Sequence, residues 1–247
     1  MMKPPAALRS AKVARAEATR RRILAAAIHE FSAHGIAGAR TEAIAHAARV
    51  NKALLFYYFK NKQGVYAAAF EQVANQVALR AKTVLDAEAS PGERLLRTAL
   101  EHFDRILTNP EVQTLMEQEM VRFRRGESAL LTMMAERAQR PLFRRLREVI
   151  EEGVRSGELC DLDWLQVLCA AVGPHVFYFL TAPMMRLAVP FEPFEKAALK
   201  RRRDAVIHFL GQALFVDRKH GAAVAKRVLA SLPMPRSTRL SVGRTKQ

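Results

Sequence analysis

Apolar residues recur at three- and four-residue intervals along almost the whole of this chain, and no stretch alternates with period two. The pattern predicts an all-α protein. Helix punctuation falls between the periodic stretches. Thr19 can cap a first helix, which His34-Gly35 ends. Thr41 can cap a short second helix through Ala48, and Asn51 a third through Phe59. Val65, Ala69, Val73, Val77, Ala81 and Val84 mark one face of a long fourth helix. Ser90-Pro91-Gly92-Glu93 reads as a capping box with proline in the first turn, and Asn109-Pro110-Glu111 repeats the cap-then-proline order. Gly126 and Gly157 are helix stops around a segment that Pro141 kinks or breaks. Asp161 or Asp163 opens the next helix, and Glu192-Pro193-Phe194-Glu195 opens another running to about Asp217. Residues 220–231 suit a short extra helix, and the polar, basic stretch after Pro233 reads as a disordered tail.

Residues 41–62, TEAIAHAARVNKALLFYYFKNK, have the short helix, tight turn and second short helix of a helix-turn-helix. Ile44, Ala45 and Ala48 give the first helix a small apolar face that lets the second cross closely. At 100° per residue, Leu55 and Phe59 of the second helix point one way, with Phe56 beside them. Ala53, Leu54, Tyr57 and Tyr58 lie on the other side. An outward leucine and two tyrosines suit a face that meets DNA, because tyrosine hydroxyls bond phosphates and small apolar groups touch thymine methyls. Lys52 and Lys62 flank that face and suit the DNA backbone.

Charge placement strengthens this reading. Residues 1–63 hold 12 Lys/Arg against 3 Asp/Glu, residues 64–217 hold 20 against 21, and residues 218–247 hold 8 against none. Both ends therefore attract a polyanion, whether nucleic acid or anionic lipid. The chain divides accordingly into a basic arm and helix-turn-helix over 1–63, a helical domain over 64–217 and a basic tail over 218–247. Lys3, Arg9, Lys12 and Arg15 of the arm suit a DNA minor groove or phosphates, and equally a disordered solubilising tail. The start lacks the apolar core of a signal peptide, and two cysteines are too few for a disulfide framework, so a cytoplasmic location is expected. Trp164–Met185 carries no charge and is long enough to span a bilayer, but Gln166, His175 and Gly173-Pro174 interrupt it. A helix buried in a core or subunit interface is the better reading. The sequence has no dinucleotide-binding, phosphate-loop, nucleophile-elbow or zinc-protease motif, so no catalytic residue, metal ligand or cofactor is expected.

Residues 19–65 resemble the tetracycline-repressor (TetR/AcrR) family of bacterial regulators. The resemblance rests on Ile23, Leu24, Ala27, Phe31 and Gly35, then on Thr41, Ile44-Ala45, Ala48, Val50, Lys52, Leu55 and Tyr58-Phe59-Lys60-Asn61-Lys62. It implies that Thr41 contacts a phosphate, that Lys52, Ala53 and Leu54 meet base edges, and that Tyr57, Tyr58 and Lys62 grip phosphates. Glu42, at a position sometimes used for bases, reads here as a solvated carboxylate supporting the helix start. Four residues depart from the family pattern. Arg49 stands where a turn glycine is common, at a cost of about 1–2 kcal/mol if the backbone is left-handed. Asn51 replaces serine, Ala53 stands at a position often held by glycine, and Phe56 replaces tyrosine and its hydroxyl.

The resemblance also implies a homodimer whose C-terminal helical domain binds a small effector. Methionines and aromatics crowd residues 100–185, which suits a small, mostly apolar molecule. His102, Phe103, Met116, Met120, Phe177 and Tyr178 are the candidate effector contacts, with His175 as a second polar group able to orient a ligand. The dimer interface is expected on Trp164–Met185 and on the helix containing Ala205, Val206, Phe209, Leu210 and Ala213. The expected function is a transcriptional regulator, a repressor that binds a near-palindrome in double-stranded DNA and is released by the effector. The alternatives are an activator of the same fold and a membrane-associated basic helical protein.

Overall fold

The first helix, α1, runs Ala6–Gly38, and Gly35 interrupts it in the left-handed region at φ 62°. Glycine takes that conformation at no steric cost, which is why the first helix turns there. The computed structural model describes residues 6–235. Thr19, expected as the cap of α1, lies inside it, and its hydroxyl donates back to the Arg15 carbonyl at 3.0 Å. The basic arm is helical from Ala6 on, not an extended strand reaching from the reading head. Lys3 and residues 236–247 lie outside the described residues.

Helices α2 (Thr41–Ala47) and α3 (Lys52–Phe59) follow. Arg40 holds the cap position of α2 and makes no side-chain bond there, so Thr41 is the first helical residue and not the cap. Asn51 caps α3 by accepting from the Leu54 N–H at 2.7 Å. Arg49 is left-handed at φ 54°, the strained non-glycine turn that its sequence position implies. The chain continues through α4 (Lys62–Leu85), α5 (Pro91–Thr108), α6 (Pro110–Arg124) and α7 (Leu130–Met134). A π-helical turn over Ala135–Gln139 joins α7 to α8 (Arg140–Arg155), so Pro141 begins a helix after a widened turn without breaking the segment. Then come α9 (Trp164–Ala188), α10 (Lys196–Ala213) and α11 (Arg218–Ser231). Asp163 caps α9 by accepting from the Leu165 and Gln166 N–H groups.

Two compact units result. Unit 1 takes the described residues up to Gln76 together with Glu111–Glu136, and unit 2 takes Val77–Pro110 with the described residues from Arg137 on. These bounds differ from a division at 63 and 217. The core of unit 1 includes Ile23, Leu24, Phe31, Ile44, Leu55 and Val65, all fully buried. Segment 111–136 joins this core through polar contacts that periodicity does not reveal. Tyr66 donates to the buried Glu119 at 2.7 Å, and Arg122 bonds the same carboxylate oxygen at 2.8 Å. Arg122 also lies over the Tyr66 ring. Burial, reinforced by the Glu119 charge, pushes the Tyr66 hydroxyl well above its ordinary pKa. Gln118 donates to the Ser32 carbonyl and His29 meets Glu111 at 2.7 Å.

Unit 2 is built on α5, most of whose residues are buried, with α8, α9, α10 and α11 around it. The short extra helix expected over residues 220–231 is α11, and its Val224, Ala225 and Val228 are fully buried. Helices α10 and α11 cross where two glycines meet: a Cβ on Gly221 would stand 1.9 Å from the Gly211 carbonyl oxygen. Gly221→Ala is therefore expected to destabilise unit 2 by about 2–3 kcal/mol, the upper range for overpacking, because backbone cannot move aside as a side chain can. A chemical denaturation curve matching wild type would refute this.

Candidate nucleic-acid interface and effector site

The candidate reading head is held from beneath. Leu55 and Phe59 of α3 are buried, while Tyr57 on the opposite side is 82% exposed. Lys52 and Ala53 are exposed, and Leu54, Phe56, Tyr58 and Lys62 are half-buried. Tyr57 and Tyr58 pack edge to face with centroids 5.7 Å apart, which limits the rotamers of both rings. The basic run before the core of α1 braces this head: Arg22 donates to the Ala48 carbonyl at 3.3 Å, and Arg20 lies over the Phe59 ring.

Three of the candidate DNA contacts have intramolecular partners that the sequence does not reveal. Lys52 binds Glu42 at 2.5 Å, and that bond first, then the Lys52 charge, holds the Glu42 carboxyl below its ordinary pKa. Lys62 donates to the Ala37 carbonyl at 3.0 Å, tying the start of α4 to the end of α1. Thr41 is nearly buried and its hydroxyl donates to Glu42. The surface left open on α3 is therefore Ala53, Leu54 and the two tyrosines, with a self-neutralised Lys52–Glu42 pair beside it.

The six candidate effector residues are divided between the two units. Met116 and Met120 lie on α6 in unit 1, where Met116 is half-buried and Met120 is 52% exposed. Phe177 is 58% exposed, because it falls on the outer face of α9 and not toward the interior of unit 2. His102, Phe103 and Tyr178 do come together in unit 2, and His175 joins them. His102 and His175 stack with their Nδ1 atoms 3.3 Å apart, Phe103 meets the His175 ring edge-on, and Tyr178 donates to the Pro193 carbonyl at 2.6 Å. Pro174 exposes its carbonyl to Arg202, which donates to it at 2.8 Å and covers the Tyr178 ring.

Burial disfavours the charged form of both imidazoles of this pair. Burial, with the Arg202 charge behind it, lowers the pKa of His175 from 6.5 to about 3. Burial lowers that of His102 well below its ordinary value, with Arg105 and His175 adding to the effect. A folded pKa below the unfolded one means that the stabilising contribution is complete above pH 6.5 and is lost as the pH falls towards 3. The slope approaches about 1.4 kcal/mol per pH unit for His175, and the total loss about 5 kcal/mol at most. Denaturation midpoints at pH 7, 5 and 4 should fall less steeply in His175→Phe than in wild type. Equal slopes would show that the ring does not carry the acid sensitivity.

Comparison with known proteins agrees with these features. Residues 23–69 match the family model described as "Bacterial regulatory proteins, tetR family", and residues 91–210 match "Tetracyclin repressor-like, C-terminal domain". The HTH-type transcriptional repressor SCO4008 of Streptomyces coelicolor is 46% identical over 63 residues, 26% of this chain and 33% of that protein. The repressor NicS of Pseudomonas putida is 32% identical over 105 residues, 42% of this chain and 49% of its own length. The chain thus spans a third to a half of these relatives. Among solved structures, the regulator SCO4942 of Streptomyces coelicolor superposes with a TM-score of 0.56 at 24% identity, covering 88% of this chain and 99% of the other. A regulator from Saccharomonospora viridis, solved with choline, gives a TM-score of 0.63 at 16% identity, covering 80% of this chain and 98% of the other. FadR of Bacillus subtilis, solved with stearoyl-CoA, gives 0.59 at 18%, covering 77% and 96%. At such identities the likeness is one of fold. With both family models matched in order along a helical chain of this fold, the protein belongs to the TetR family of bacterial regulatory proteins.

Proposed function

We propose that the protein is a cytoplasmic transcriptional repressor that binds duplex DNA as a dimer through α3 and releases it when a small molecule occupies unit 2. The observation that carries the DNA half is the division of α3 into a buried Leu55/Phe59 face and an open Ala53/Leu54/Tyr57/Tyr58 face. An exposed Tyr57 beside the half-buried Leu54 and Tyr58, on a helix of a basic head, serves backbone gripping and methyl contact better than solvation. Repression is favoured by the names of SCO4008 and NicS, both transcriptional repressors. Effector control is supported by the aromatic-walled histidine pair and by the two related folds solved with choline and stearoyl-CoA.

The membrane-associated reading has less support. Helix α9 is long and apolar enough to cross a membrane by length and composition. Yet Val167, His175, Tyr178 and Ala182 are buried, and its exposed apolar residues form one stripe, as an interface helix requires.

Operator selection from fragments of the source genome, followed by titration of variants, tests the proposal. Leu54→Ala should change base preference at one position, with about tenfold or greater loss of discrimination there. Lys62→Ala should lower affinity on all sequences alike. If Lys62→Ala altered preference and left affinity intact, these role assignments would be wrong.

A further inference from the structure

Three arginine side chains are buried among the described residues: Arg94, Arg105 and Arg203. Two of them donate to acceptors through their terminal nitrogens, although the buried Nε of Arg94, like that of Arg105, has no partner. Arg94 donates to the Leu85 carbonyl and to Glu152 at 2.6 Å. Arg203 takes both oxygens of Asp104, at 2.8 and 2.9 Å, and the Leu232 carbonyl at 2.9 Å. Arg105 makes no hydrogen bond to any described residue. Its nearest carboxylate is Glu101, one turn earlier on α5 and 3.7 Å away, and its buried Nε has no partner. A guanidinium cannot shed its proton to escape such a site.

The surroundings do not compensate. Burial raises the pKa of Glu101, which weakens it as a counter-ion, and it lowers that of Arg105. Arg80 adds a second positive charge acting on both. The local balance is thus one cation in excess. His102, three residues before Arg105 on the same helix, is its neighbour on the α5 surface. It spends Nδ1 on His175, which leaves Nε2 for another molecule, and the buried Nε2 of His175 has no partner. A buried guanidinium whose one carboxylate neighbour stands beyond hydrogen-bond distance, beside an imidazole with an unused nitrogen, suits an anionic ligand.

We infer that unit 2 binds a small monocarboxylate, whose two oxygens accept from the Arg105 guanidinium while His102 bonds one of them. One guanidinium with only a long ion pair to Glu101 matches a single negative charge; a phosphate monoester would meet too few cations. The inference rests on the effector reading above and narrows it from a mostly apolar molecule to one with a carboxylate head.

The test uses the full chain at pH 7.5. Calorimetry and thermal unfolding are run against acetate, butyrate, octanoate, decanoate and benzoate, each beside its primary amide. At least one acid should bind wild type about tenfold or more tightly than its amide. Arg105→Met should bring acid and amide to similar affinity. Arg105→Lys, which keeps the charge and loses the fork, should discriminate less than wild type. The inference is overturned if no acid binds, if the amides bind as tightly, or if Arg105→Met keeps the discrimination. A DNA-release assay separates the two claims. An Arg105-dependent acid that leaves DNA bound upholds this site and sinks effector control, whereas release by acid and amide alike upholds effector control and sinks this site.

Discussion

Phe209→Glu is expected to give a folded monomer whose operator affinity is lower by about two orders of magnitude or more. Phe209 is 61% exposed on α10, and Ala205 and Ala213 lie one turn on either side of it, also exposed. On α9, Leu165, Phe177, Leu180, Met184 and Leu187 are 45–88% exposed and repeat at helical spacing. Exposed apolar residues grouped on one side of a helix mark an interaction surface. Val206 and Leu210, by contrast, are buried within unit 2, so the proposed interface would take the opposite face of α10. In the proposed dimer, two copies packed on these faces would form a four-helix contact, and the two α3 helices would read half-sites related by a two-fold axis. A carboxylate at 209 would be buried against its own copy without a partner. Sedimentation should show the monomer, circular dichroism the intact helices, and titration the lost affinity. A dimeric variant, or a monomeric one that binds its operator as wild type does, would remove the dimer from the mechanism.

Asp104→Ala is expected to cost about 3–5 kcal/mol, among the largest losses from one substitution in unit 2. Arg203 is 3% exposed and holds Asp104 bidentately, with the Leu232 carbonyl on the same terminal nitrogen. Without the carboxylate, a buried cation keeps one neutral acceptor. The pair joins α5 to α10, and Leu232 brings in the end of α11. The double variant Asp104→Ala/Arg203→Met should recover much of the loss, because both charges leave the interior together. Urea denaturation of the two variants decides this. Equal losses in both would place the cost in packing and not in the stranded charge.

The helix-turn-helix was legible because its determinants are local. Helical period alone puts Leu55 and Phe59 inside and Tyr57 outside, and an asparagine oxygen reaches the third N–H after it whatever lies elsewhere. The strained turn at Arg49 was legible only through the family resemblance, which puts a turn glycine at that position. The start of α1 was less legible: Thr19 has the chemistry of a cap, but inside a helix its hydroxyl bonds back to Arg15, and the residue type does not say which.

What the sequence determined by itself was thus the succession of helices, the apolar face of each, and the basic reading head. What the tertiary structure decided was which partner meets each face. Glu119 joins Tyr66 across 53 residues, placing segment 111–136 with the reading helices. Nothing in the helical pattern of residues 220–231 tells that Gly221 meets Gly211. Phe177 and Tyr178 are equal in hydrophobic pattern, yet one residue of rotation sends the first outward and the second into the core. Lys52 and Lys62 read as free cations until Glu42 and the Ala37 carbonyl are found beside them. Periodicity fixes directions about a helix axis, and it holds no information about the distance to a residue fifty positions away. Packing and charge pairing supply that, because each buried polar group needs its own partner in space.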